Sequence, residues 1–170
     1  MLIRKEESDD YPMVKEVNDQ AFGQDNEGRL VELLRKNPKF VPELSLVAEV
    51  DGKVVGHILF FPIIIKNDNS QFESLALAPM SVIPSHQKKG IGSSLIRKGL
   101  AVARSLGFSS VIVLGHAQYY PKFGFEKASK WGIKAPFDVP DEAFMAIELE
   151  EGSLRGVNGV VQYHDEFNEV

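Results

Sequence analysis

Apolar positions along the chain change period several times, and each change marks a new element. Leu2 and Ile3 open a short strand near Leu2 to Arg4. Ser8, Asp9 and Asp10 then offer N-caps, Pro12 suits a first helical turn, and Val14, Val17 and Ala21 recur at helical spacing. This predicts a helix ending near Phe22-Gly23. Leu30, Leu33 and Leu34 predict a second helix, stopped at Asn37-Pro38 because the residue before a proline is pushed out of the helical region. Leu46, Ala48 and Val50 alternate up to Asp51-Gly52, a dipeptide that tolerates the positive φ angles of a two-residue hairpin, and Lys53 to Ile65 returns as a long apolar strand. After a turn at Asn67 to Ser70, Phe72 to Ile83 makes the third strand of the meander. Pro79 inside it has no N–H to donate, so pairing with a neighbouring strand is expected to fail there through a bulge or splay.

Pro84 ends that strand, a glycine-containing turn follows, and Ile91, Leu95, Leu100, Ala103 and Leu106 trace a helix closed by Gly107. Val111 to Leu114 reads as a buried strand. Strand, helix and strand in this order imply a crossover and a parallel pair, hence a mixed sheet. A turn or short helix at Tyr119 to Phe123, a strand at Ala143 to Glu150 and a hairpin around Asn158-Gly159 complete the pattern. The expectation is an α/β fold of one domain, residues 1–170, with a central, mostly antiparallel sheet splayed between strands 4 and 5 and helices on both faces.

Composition narrows the chemistry. The chain has 170 residues, 44% of them hydrophobic and 25% charged, near the averages of packed globular domains. It contains no cysteine, which excludes disulfides, a thiolate nucleophile and any metal site built on Cys. His57, His86 and His164 lack metal-ligand spacing, so no metal is expected. The N-terminus has no apolar signal core, and the longest apolar run, Ile58 to Ile65, falls far short of a bilayer span. A cytoplasmic protein without membrane partners is the expectation.

Net charge is −5, which argues against a general nucleic-acid binder. Its distribution is uneven. Ser74 to Phe125 holds no Asp or Glu but carries Lys88, Lys89, Arg97, Lys98, Arg104 and Lys122. That pattern fits a small phosphorylated ligand, and on charge alone it fits solvated lysines over a core segment equally well. Within this stretch, Gln87-Lys88-Lys89-Gly90-Ile91-Gly92 joins the proline-broken strand to the basic helix, placing two glycines where a ligand can approach the backbone beside unsatisfied helix-start N–H groups. A dinucleotide fingerprint fits poorly, because Leu95 stands where its third glycine belongs, and no phosphate-loop GxxxxGK[ST] occurs.

Val82 to Ile96, which reads V-I-P-S-H-Q-K-K-G-I-G-S-S-L-I, resembles the acyl-CoA-binding motif of the GNAT N-acetyltransferases, a strand running through V-x-P into Q/R-x-x-G-x-G/A and a helix. Tyr119-Tyr120-Pro121-Lys122-Phe123-Gly124-Phe125 resembles that family's later F/Y-Y-x-x-x-G-F segment. Element order agrees as far as about Glu150, and the tail is similar to an uncharacterised bacterial branch of the family. The resemblance implies a GNAT-like acyl-CoA N-acyltransferase fold with acetyl-CoA as cosubstrate and a primary amine of a small molecule or peptide as acceptor, acylated by direct attack in a ternary complex. It also implies that the backbone of Met80, Ser81 and Val82 hydrogen-bonds the pantetheine arm, while Gln87, Lys88, Lys89, Gly90, Ile91, Gly92 and Ser93 hold the pyrophosphate. Pro79 suits such a role, since an incompletely paired strand leaves edge groups free for an extra strand. A non-catalytic acyl-CoA-binding or sensing module is the alternative, and a homodimer is left open.

An acyl transfer of this kind needs an uncharged amine, a polarised carbonyl and an acid for the departing sulfur. Carried across by position, Tyr120 is the acid, phenol and thiol having neighbouring reference pKa values of roughly 10 and 8.5. Family members often place a Glu base on the strand before the CoA loop. Here Glu73 lies about a turn of strand too early, and Leu75 to Ala78 cannot accept a proton. His116, just past the Val111 strand, is a second candidate base. A backbone carbonyl and a water chain are the alternative to both.

Overall fold

The structure is a computed structural model, and it describes residues 1–169. Its elements are β1 (Leu2–Lys5), α1 (Tyr11–Phe22), α2 (Asn26–Arg35), β2 (Ser45–Val50), β3 (Lys53–Lys66), β4 (Gln71–Val82), α3 (Ile91–Ser105), β5 (Ser110–Leu114), β6 (Glu126–Lys127), β7 (Ile133–Lys134), β8 (Phe144–Glu148) and β9 (Gly159–Gln162). Two compact units emerge. One comprises Met1–Phe61, Ala78–Val102 and the segment from Asp165, and the other Pro62–Leu77 and Ala103–His164.

In the first unit β1, β2 and β3 form an antiparallel meander, with Leu2↔Glu49 and Val47↔His57 among the pairs. The β2–β3 turn is the expected one, since Asp51 and Gly52 both have positive φ, 51° and 78°. Val54 to Phe61 of β3 is buried because both faces are covered there. Leu59 and Phe61 join Val14, Val17, Leu30, Val31 and Leu34 of α1 and α2 in one buried cluster. On the other face, a side chain on Gly56 would press on Leu95 Cδ1 at 3.1 Å and Ile91 Cγ2 at 3.3 Å of α3. A Cβ on Gly99 of α3 would overlap the Phe60 ring, with Cζ at 2.7 Å. α3 therefore docks on β3 at two points where one partner has no side chain.

Helix ends follow the sequence closely. α1 stops at Gly23, which is left-handed at φ 67°, and Gly107 closes the turn after α3 at φ 91°. The start of α1 differs from expectation. Ser8–Asp10 is a short 3-10 turn, and although Asp10 occupies the N-cap of α1, its carboxylate makes no cap there. It accepts instead from Arg4 at 2.7 and 2.9 Å and from the Glu7 N–H at 2.8 Å. A nearby guanidinium is a stronger partner than a helix-start amide.

In the second unit the order is β4-β5-β8-β6. The β4–β5 pair is parallel, as strand, crossover helix and strand require, and its ladder comprises only Leu75↔Val111 and Ala76↔Ile112. Pairing thus ends ahead of Pro79. β5–β8 and β6–β8 are antiparallel, while β9 pairs antiparallel with the end of β3 and parallel with β7. The fold is the expected α/β type with a mixed, mostly antiparallel sheet. One expectation fails: Asn158-Gly159 is no hairpin turn. Gly159 opens β9 at φ 140°, and a Cβ there would lie 2.6 Å from the Lys66 carbonyl carbon. This glycine permits a backbone crossing beside the Asn67 turn, where Asn67 Nδ2 donates to the Asn158 carbonyl at 2.9 Å.

A polar network is buried beneath α1 and α2 in the first unit. Arg35 clamps Glu6 through Nε at 3.1 Å and Nη2 at 2.6 Å. His57, fully buried, has Nε2 2.9 Å from Ser45 Oγ and Nδ1 3.4 Å from Asn18 Nδ2. Since the Asn18 amide is the donor, Nδ1 accepts and Nε2 carries the proton toward Ser45. Burial first, and the Arg35 charge second, push the imidazole pKa down to about 3. Its 3.7 Å approach to Glu6 is therefore not an ion pair, because the ring is neutral and Glu6 is already held by Arg35.

The unfolded imidazole takes up a proton near pH 6.5, whereas the buried ring does not do so until about 3. Between these values the unfolded state binds more protons, so stability falls with pH by about 1.4 kcal/mol per unit below pH 6.5. Urea unfolding at stepped pH values between about 7 and 5 should show this slope, and His57→Gln should reduce it by one proton. An unchanged slope in that variant would place the titration elsewhere.

Candidate active site

Two of the sequence-predicted segments lie in the first unit. At the end of β4, Met80 is half-buried, and Ser81 and Val82 are buried. The Ser81 Oγ has no hydrogen-bond partner although it is enclosed. Such a group ordinarily has one. Ile83 N–H turns to the Val55 carbonyl at 2.9 Å, which ends the strand, and Pro84–His86 makes a 3-10 turn.

The loop that follows is tied at its base. Gln87 Nε2 donates to the Val82 carbonyl at 2.9 Å, so this side chain fixes the loop to the strand end. Lys88 and Gly90 are both left-handed, at φ 63° and 83°, with Lys89 between them. Alternation of hand turns successive N–H groups toward one side and makes an anion-binding concavity. A non-glycine residue held in this conformation is uncommon and marks clamps and switch regions. The space around Gly90 is open, so its need for glycine is conformational. Ile91 and Gly92 then start α3, and the Ser94 N–H closes on the Gly90 carbonyl at 3.1 Å, with Ser94 Oγ on the same oxygen at 3.0 Å. Amides at a helix start carry partial positive charge and lack carbonyls within the helix. Lys88 and Lys89 are exposed beside them. The arrangement suits a phosphate held mainly by backbone.

Glu73, His116 and Tyr120 belong to the second unit. The β4–β5 register places Glu73 level with Ser109, just before β5 begins, next to the buried Ser74–Ser110 hydroxyl pair at 2.8 Å. His116 and Tyr120 follow the other end of β5. At roughly 3.3 Å per residue the seven steps from that level to His116 span more than about 20 Å, so Glu73 is not brought together with the other two. His116 is exposed, and its carbonyl accepts from the N–H groups of Tyr119 at 3.0 Å and Tyr120 at 3.3 Å. Tyr120 begins a 3-10 turn, Tyr120–Phe123, capped by left-handed Gly124. Its ring is buried between the edges of Tyr119 and Phe125, with centroids 5.3 and 5.6 Å away. Burial, then the proximity of Tyr119, push its pKa up to about 12, so the phenol keeps its proton at neutral pH.

The sequence model of the Acetyltransferase (GNAT) family matches residues 3–125, which include the loop and both tyrosines. The chain belongs to the GNAT family. As a GNAT acetyltransferase it is 43% identical over 130 residues to the uncharacterized N-acetyltransferase YjhQ of Escherichia coli K12, covering 76% of this chain and 72% of that one. It is 32% identical to the uncharacterized N-acetyltransferase YhbS of the same strain, over 99% of both. The crystal structure of Escherichia coli YhbS in complex with CoA superposes with a TM-score of 0.91 at 31% identity, covering 98% of this chain and 91% of that one. A GNAT acetyltransferase from Brucella melitensis in complex with acetyl-CoA gives 0.79 at 34% identity, over 98% and 97%. The GNAT fold expected from sequence is the one found. No helix among the described residues is long and apolar enough to cross a membrane.

Proposed function

We propose that this GNAT enzyme transfers an acetyl group from acetyl-CoA to a primary amine of a small molecule or peptide, by direct attack in a ternary complex. The observation that carries the reading is the loop from Gln87 to Ser93, with left-handed Lys88 and Gly90 leading into the start of α3. Its left-handed residues fit a diphosphate held by backbone amides. The solved relatives bound to CoA and acetyl-CoA support the choice of ligand. Met80, Ser81 and Val82 are assigned to the pantetheine arm through their backbone. Lys88, Lys89, Gly90, Ile91, Gly92 and Ser93 are assigned to the pyrophosphate, with Gln87 bracing the loop.

The cosubstrate supplies an activated thioester. In the transfer the amine nitrogen bonds to the carbonyl carbon, the C–S bond breaks, the nitrogen loses a proton and the sulfur leaves as a thiolate that takes its proton from solvent. Tyr120 is assigned to the sulfur. A phenol at about 12 is a weaker acid than the thiol it faces, at roughly 8.5 in reference compounds, so its contribution is a hydrogen bond to the developing thiolate more than complete proton transfer. His116, exposed on the turn that leads into Tyr120, is assigned to carry the amine proton to solvent. Glu73, a strand's length away, takes no part.

Five measurements test these assignments. At a hundred times its dissociation constant, acetyl-CoA should stabilise the protein by about 2.7 kcal/mol, and ATP and NAD should not. Gly92→Glu should abolish that stabilisation by filling the phosphate approach with a like charge, and undiminished stabilisation would count against the loop assignment. Tyr120→Phe should lower kcat by ten- to a thousand-fold, on the order found for removal of one transition-state donor, while acetyl-CoA affinity stays within about two-fold. Equal turnover would make Tyr120 a packing residue. His116→Ala should lower turnover about ten-fold or more. CoA affinity without thiol release across polyamines, amino acids, aminoglycosides and peptide N-termini would favour a binding module over an enzyme.

A further inference from the structure

Gly115 is the first residue beyond β5, and nothing in its backbone demands glycine. Its φ lies outside the left-handed region, and its N–H donates to the Ala143 carbonyl at 2.9 Å in continuation of the β5–β8 ladder. What it lacks room for is a side chain. A Cβ on Gly115 would overlap Cε2 of Tyr120 and stand 2.9 Å from Cδ2 and 3.3 Å from Cζ. Carbon atoms in ordinary contact sit about 3.5–4.0 Å apart, so even a methyl group would displace the ring by about 1 Å.

The ring has nowhere to retreat without moving its hydroxyl. It is 7% exposed, and the edges of Tyr119 and Phe125 meet it at interplanar angles of 84° and 79°. Tyr119 is itself packed against Phe123 at 5.2 Å. The main chain on either side is pinned by the Tyr120 N–H bond to His116 and by left-handed Gly124. We propose that Gly115 is a positioning residue for Tyr120, its missing side chain setting the depth at which the ring seats and hence where the hydroxyl points. The inference rests on the assignment of Tyr120 to the leaving sulfur.

Gly115→Ala keeps the backbone conformation and adds only the contact with the ring, which makes it the test. A displacement of about 1 Å at a reacting group lowers rate by as much as about a hundred-fold. Gly115→Ala should therefore lower kcat ten- to a hundred-fold with the KM for acetyl-CoA within about two-fold. In a Tyr120→Phe background, where there is no hydroxyl to misplace, the same change should alter kcat by less than about two-fold. Equal losses in both backgrounds, or a wild-type kcat in Gly115→Ala beside a deficient Tyr120→Phe, would overturn the positioning role alone. A wild-type kcat in Tyr120→Phe would overturn the Tyr120 assignment and this role with it. Should Gly115→Ala prove too unstable to assay, denaturant unfolding of Gly115→Ala, Tyr120→Leu and the double variant replaces it. Tyr120→Leu should recover most of the lost stability, and additive losses would show that the ring and Gly115 do not compete for space.

Discussion

The close approach of α3 to β3 sets the geometry of the loop that is proposed to hold the pyrophosphate. Leu95 and Ile91 rest over Gly56, and Phe60 fills the space beside Gly99, so the helix can neither slide along the strand nor lift from it without opening the core. Its first turn is thereby fixed relative to the end of β4, and the chain must pass from Val82 to Ile91 through a proline-started 3-10 turn and two left-handed residues. The path of the backbone there follows from this packing, and exposed Lys88 and Lys89 add a local positive field. Sequence constraint accordingly concentrates in glycines and in Gln87, whose amide ties the loop to the strand it leaves.

Much of this was legible from residue pattern alone, for a physical reason in each case. A strand buried on both faces reads as a nearly continuous apolar run, and Val54 to Phe61 is covered by α1 and α2 on one face and by α3 on the other. Asp51-Gly52 specified a turn because few other pairs accept two positive φ angles. Parallel pairing ends at Ala76, three residues ahead of Pro79. The two-residue strands β6 and β7 left no trace, since alternation needs several positions to register. Asn158-Gly159 misled because glycine answers two demands, a turn or a close crossing, and only the neighbouring Lys66 backbone tells them apart.

The site was legible unevenly. Its loop carries a spacing of glycines and bases that survives in one dimension. Gly115 does not, because what it must avoid is a ring five residues later, folded back on it by a turn whose shape the sequence only suggests. Asp10 shows the converse, a residue with every mark of a helix cap that an arginine six residues earlier claims instead. In both, the deciding partner is brought back by a turn of the chain that periodicity does not specify.

Two enclosed titratable groups then show how one physical effect serves opposite ends. Desolvation favours the neutral form of both His57 and Tyr120, pushing the imidazole down to about 3 and the phenol up to about 12. His57 is held by its polar atoms, with Ser45 and Asn18 on its two nitrogens, so its neutrality is absorbed into the architecture. Tyr120 is held by its carbon framework, between aromatic edges and beside a bare Gly115, and these neighbours grip the ring and not the oxygen. A phenol so placed is rigid and protonated at neutral pH. A group meant to take protons from solvent and return them would need a pKa near the working pH. One meant to meet a developing negative charge needs a fixed direction and a proton that stays on, and the burial of Tyr120 is consistent with both demands of the role proposed for it.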